Sequence, residues 1–152
     1  MRAFLTVLAI AITTTIHAQK NQYQGFPSLV WPKLYDVKYV NASDERGEYE
    51  KPVFSDATLA LDGKMVTLPG YIVPFENKVK SDHLMLSSMP LNACFFCGVG
   101  GPETAVEVFL QKEIPYTDKP VEIKGVLRIN RNDPDKMPYV LENAELAGEL
   151  DL

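Results

Sequence analysis

Val121-Glu122-Ile123-Lys124-Gly125-Val126-Leu127-Arg128-Ile129, followed after a loop by Tyr139-Val140-Leu141-Glu142-Asn143-Ala144-Glu145-Leu146, is the stretch that decides the fold. Val121, Ile123, Gly125, Leu127 and Ile129 occupy every second position, with mostly charged residues between them. Side chains on a strand alternate between faces, so this pattern predicts a strand with one buried side. Asn130 to Pro138 is rich in Asn, Asp and Pro, which marks a loop. The pair has the look of an OB-fold's closing hairpin.

Working outward, Ala105 to Leu110 predicts another strand, with Val106, Val108 and Leu110 on one face. His83 to Leu86 predicts a short one. Lys64 to Val73 reads as a strand bent at Pro69-Gly70, since glycine inside a strand often marks a bulge or tight bend. Before it, Ser55 is a natural N-cap and Gly63 a natural stop for a short helix. Ser28 to Tyr39 reads as an irregular segment that packs Trp31 and other aromatics onto the domain. Asn41 to Lys51 is charged and aperiodic, and reads as a solvated loop. About five short strands and one small helix predict a mainly β domain, either a small OB-like barrel or a curled antiparallel sheet. A β-sandwich is the rival, because period-two alternation does not separate them. The expected division is a signal peptide over 1–18, an N-terminal extension with its short helix over 19–60, and an OB-like β-domain over 61–152.

The chain has 152 residues, 46% of them hydrophobic and 23% charged, which suits one folded domain rather than a disordered chain. Its net charge of −5 argues against holding phosphate backbones, so no nucleic-acid partner is expected. Arg2, the apolar run from Ala3 to Ile12 and the small residue Ala18 together predict a signal peptide cleaved near Ala18. The run is too short to span a bilayer, and no later segment is long and apolar enough either. The protein is therefore expected to be exported, to the periplasm or beyond, without a stable membrane span. Cleavage would remove His17 and leave His83 as the histidine of the mature chain.

Asn92-Ala93-Cys94-Phe95-Phe96-Cys97-Gly98-Val99-Gly100-Gly101-Pro102-Glu103 carries the chemistry. Two cysteines at this spacing can bind a metal, cycle as a redox pair or rest as a structural disulfide. Gly98, Gly100 and Gly101 let the backbone turn tightly, and Pro102 stiffens the exit. A metal reading makes Cys94 and Cys97 ligands for a thiophilic ion, zinc or copper, completed by His83 or Glu103. Met85 and Met89 suit a soft ion but more often fill a core. A thiol–disulfide protein acting on partners is the second reading, although no thioredoxin-like βαβ pattern surrounds the motif. A binding module that grips an as yet unidentified protein partner, with structural cysteines, is the third. No Ser-His-Asp arrangement and no phosphate-binding glycine loop are present, so no catalytic residue is assigned and a non-enzymatic role is expected.

At Leu61-Asp62-Gly63-Lys64-Met65-Val66-Thr67-Leu68-Pro69-Gly70-Tyr71-Ile72-Val73-Pro74, and at Trp31-Pro32-Lys33-Leu34, the chain resembles domain-of-unknown-function family 3299, small exported bacterial proteins. The resemblance implies the fold class and export, and brings no activity with it. In that family a cysteine is followed closely by a histidine and a run of prolines. Here Cys94 matches the cysteine, Cys97 stands near the histidine's place, and Gly98 to Pro102 replace the prolines. The exchange of one soft-metal ligand type for another favours a metal role over a static disulfide.

Overall fold

A computed structural model describes residues 26, 28–45, 47–75, 79–90 and 100–151. The signal peptide expected over 1–18 and the residues Cys94, Cys97 and Gly98 lie outside the described residues. Helix α1 (Trp31–Leu34) leads into a hairpin of β1 (Val37–Asp44) and β2 (Gly47–Phe54). Helix α2 (Asp56–Leu59) precedes five strands: β3 (Met65–Pro74), β4 (Lys80–Ser87), β5 (Ala105–Pro115), β6 (Val121–Ile129) and β7 (Tyr139–Glu149). A 3-10 turn over Pro102–Thr104 introduces β5.

The five strands close into a barrel in the order β3-β4-β5-β7-β6, and β3 pairs back onto β6. That order rejects the sandwich and gives the OB-like barrel. All neighbours are antiparallel except β5 and β7, which run parallel, so the sheet is not wholly antiparallel as a simple curled sheet would be. Closure explains the bend expected in β3. Residues 65–70 pair with β6 and residues 71–74 pair with β4, so the strand changes partner at Gly70. A Cβ on Gly70 would come within 2.7 Å of the Ser87 carbonyl oxygen, and one on Gly125 within 2.8 Å of Leu141 Cγ. Both glycines stand where neighbouring strands pass too closely for a side chain.

The barrel is filled from every strand. Leu68, Leu84, Leu86, Val106, Val108, Ile123, Leu127 and Leu141 are almost wholly buried in one cluster. Ser55 caps α2 as expected, its Oγ accepting from the Thr58 N–H at 3.2 Å, and Gly63 takes a φ of +74°. The helix itself is only four residues long.

The described part of the N-terminal extension holds more regular structure than its sequence suggests. Asn41 to Lys51, read as a solvated loop, lies largely within the β1–β2 hairpin, whose register runs from Val37 opposite Phe54 to Asp44 opposite Gly47. Its charges obscure the pattern because the hairpin buries little on either face. The extension is pinned by two buried hydrogen bonds. Trp31 Nε1 donates to the Pro69 carbonyl at 2.7 Å, and Tyr139 Oη donates to the Leu34 carbonyl at 2.6 Å. Trp31 is thus the packing residue expected of it.

Candidate functional site: a cleft on the outer face of β4 and β5

Register determines which side chains leave the barrel. Leu84 faces Val108 and Leu86 faces Val106, and all four point into the core. The residues between them must point outward. His83 therefore stands beside Phe109, Met85 beside Glu107 and Ser87 beside Ala105 on the outer face. Met85 is only 1% exposed, yet it does not belong to the barrel core. It is buried from the outer side of the sheet, so it fills space as expected of a core methionine, but beside the main cluster rather than within it.

The cover forms a cleft of about 530 Å³, within the roughly 300–1,000 Å³ usual for ligand sites. Met85 and Glu107 lie at its base, Tyr39 and Tyr49 come from the hairpin, and Phe75 from the end of β3. Pro102 and the loop from Asn130 to Pro138 complete the wall. That loop is knit by one side chain. Asn130 Oδ1 accepts from the Asp133 N–H at 3.0 Å, and Nδ2 donates to the Asp133 carbonyl at 2.6 Å and the Lys136 carbonyl at 3.2 Å. Asp62 ties it to the body through the Ile129 N–H and Arg131.

Two polar groupings border the cleft. In the first, His83 Nε2 lies 2.8 Å from Glu107 Oε1. The imidazole sits between two rings, with centroids 4.5 Å from Phe75 and 4.4 Å from Phe109, and is nearly parallel to the latter. A histidine held this way fixes the orientation of its carboxylate partner. In the second grouping, Glu103 lies among Tyr35, Tyr39 and Tyr139. The Tyr39 phenol is raised well above its ordinary value, first by burial and then by the Glu103 carboxylate, which acts as a charge and as an acceptor. Neither Tyr39 Oη nor Glu103 Oε2 makes a well-aligned hydrogen bond, although both are buried. Tyr139 is raised by burial and then by the nearby Tyr39 and Glu103. Tyr35 is also raised, chiefly by burial, with a hydrogen bond to Ser88 acting in the opposite sense.

Of the residues expected to form a metal site, His83 is engaged with Glu107, and Glu103 faces the tyrosines. Among the described residues there is no group of three or more His, Cys, Asp and Glu side chains able to hold a metal ion. Cys94 and Cys97, with Gly98, are outside the described residues. Gly100, Gly101 and Pro102 are described and belong to a tight structure. Thr104 N and its Oγ1 both donate to the Gly101 carbonyl, at 3.0 and 2.7 Å. The Ser88 N–H in turn reaches the Thr104 carbonyl at 2.9 Å.

Sequence reading missed Tyr39, Tyr49, Phe75 and Glu107. The available signal was the run Leu84-Met85-Leu86, which is apolar on both strand faces. A one-sided strand has no reason to place Met85 outward unless something covers it.

No helix among the described residues is long and apolar enough to cross a membrane. No protein-family model matches the chain, and no curated protein does. In structure the chain is similar to a crystal structure of a DUF3299 family protein from Pseudomonas aeruginosa PAO1. The two share 22% identity, with a TM-score of 0.46, over 61% of this chain and 65% of that one.

Proposed function

We propose that the protein is an exported, non-catalytic binding module whose cleft takes a segment of a partner protein. The observation that carries this reading is the position of the cleft. It lies on the outer face of the second and third barrel strands, between the β3–β4 and β6–β7 connections. OB-type barrels use that face and those two loops to bind oligonucleotides and oligosaccharides, and an extended peptide would lie along the same face. The chain's net charge of −5 argues against nucleic acid as the ligand. Selection of displayed random peptides on the mature protein is the test. Enriched peptides should shift the Met85 methyl resonance and should lose binding to a Phe75→Ala variant. Peptides that bind without touching either residue would overturn the reading. Export is tested by N-terminal sequencing of secreted or periplasmic protein, which should begin at or near Gln19.

A second reading is that Cys94 and Cys97 bind zinc or copper. It is supported by how firmly the flanks of their segment are held. Ser88 is bonded to Thr104 through both its N–H and its Oγ, and a Cβ on Gly100 would lie 3.4 Å from Met89 Sδ. A segment fixed at its base presents two thiolates with less loss of chain freedom. Reduced protein should then take up about one equivalent of metal, and either Cys→Ser change should remove most of it. A reduced protein that takes up no metal but shows a measurable dithiol potential would instead favour the thiol–disulfide reading.

A further inference from the structure

We infer that the cleft selects an arginine side chain on the partner segment, with Glu107 as its charge partner. The inference rests on the binding-module reading and names the chemistry of its ligand. Glu107 is the carboxylate at the base, beside Met85. Its Oε1 is held by His83 at 2.8 Å, and His83 is itself clamped between Phe75 and Phe109. The carboxylate is thus presented in one orientation before any ligand arrives, which lowers the ordering cost of binding. Tyr39, Tyr49 and Phe75 line the same cleft. A carboxylate in a cleft that aromatic residues also line suits a cation that is planar and weakly hydrated. The guanidinium meets both conditions, because it forks onto carboxylates and stacks on rings, whereas an ammonium is a strongly hydrated point charge.

The charges at the rim agree with this. Arg131 is held by Asp62 at 3.3 Å and Lys136 by Asp133 at 3.2 Å, so two of the three lining cations, Lys51 being the third, are already directed at carboxylates. Glu50 adds a further negative group on the hairpin side. The net charge of −5 favours the approach of a basic segment over an acidic one. In this arrangement His83 is a positioning residue, acting on the ligand only through Glu107.

The test uses the mature protein and three small probes: the N-acetyl methylamides of arginine, citrulline and glutamate. Citrulline keeps the flat end group of arginine and removes its charge. Binding is read from the Met85 methyl resonance. The arginine probe should saturate at about tenfold lower concentration than the citrulline probe, as a charge-assisted hydrogen bond requires. Glu107→Gln keeps an oxygen that His83 can bond and should erase that preference in a protein that still unfolds cooperatively. Phe75→Leu should weaken both flat probes together and leave the preference in place. Equal binding of arginine and citrulline, or stronger binding of the glutamate probe, overturns the arginine assignment and leaves the cleft reading standing. If no probe moves Met85, the arginine assignment also falls, and the peptide selection then decides the binding-module reading independently.

Discussion

β6 and β4 are strands of one barrel with opposite relations to their surroundings. Along β6, buried and more exposed positions alternate without a break from Val121 to Ile129. Along β4, alternation fails after His83, and Leu84, Met85, Leu86 and Ser87 are all buried. The outer side of β6 carries Glu122, Lys124, Val126 and Arg128, with Lys124 and Arg128 paired to Glu145 and Glu142 on β7. The outer side of β4 carries His83, Met85 and Ser87 on the part of the wall that the cleft occupies. The difference teaches where the barrel ends and the binding face begins. A strand with one buried face serves the core alone, while a strand buried on both faces also serves whatever is packed against its back.

The contrast would break most severely if barrel closure failed where it feeds β4. Gly70→Val would drive a side chain into the Ser87 carbonyl and Leu86, which neither strand can yield without losing pairing. The expected cost is at or above the upper end of the about 1–3 kcal/mol usual for overpacking. Chemical denaturation should show it, and a variant as stable as the parent would mean that the strands do not meet there.

A smaller effect should follow from releasing the extension. Tyr139→Phe removes the hydroxyl that satisfies the buried Leu34 carbonyl. Stability should fall by about 1–3 kcal/mol, the cost of leaving a buried acceptor unmet. If the midpoint does not change, the extension is not held through this bond, and the cleft wall that it supplies is less firmly placed.

The tyrosine cluster sharpens the comparison through pH. Tyr35, Tyr39 and Tyr139 all have phenols raised above the ordinary value of about 10, first of all by burial. Their contribution to stability is fully present below about pH 10, where these phenols are neutral in the folded and the unfolded chain. As pH rises further the unfolded chain ionises first, so stability falls until the folded-state phenols titrate as well. Urea midpoints should therefore decline above about pH 10, and Tyr39→Phe should flatten the decline. A flat profile in the parent would remove the cluster from the account of the cleft's edge.

The smallest effect belongs to the outer side of β6. Lys124→Gln breaks an exposed pair with Glu145 at 4.0 Å and should change stability by no more than about 0.5 kcal/mol. A larger loss would show that this side too is engaged, and that β6 is not the one-faced strand its pattern indicates.

The candidate site was less legible than the fold. The sequence offers His83 as a possible site residue, but its partner Glu107 is 24 positions away and looks like any surface charge on a strand. Tyr39 and Tyr49 lay in or beside a stretch whose charges hide a hairpin. The sequence offers Glu103 as a possible ligand, and what distinguishes it in the folded chain is the group of tyrosines that only folding assembles.

Sequence by itself determined the β class, the five barrel strands, the cap at Ser55, the left-handed Gly63 and the bend at Gly70. These follow from local rules, since the period of a strand, the turn chemistry of glycine and the capping of a serine act over a few residues. Tertiary structure alone decided that β5 and β7 run parallel, that β1 and β2 pair, and that Met85 and Glu107 share a cleft. Each of these depends on contacts between distant segments, and the energy that selects them comes from packing after closure. No single stretch of the chain records it.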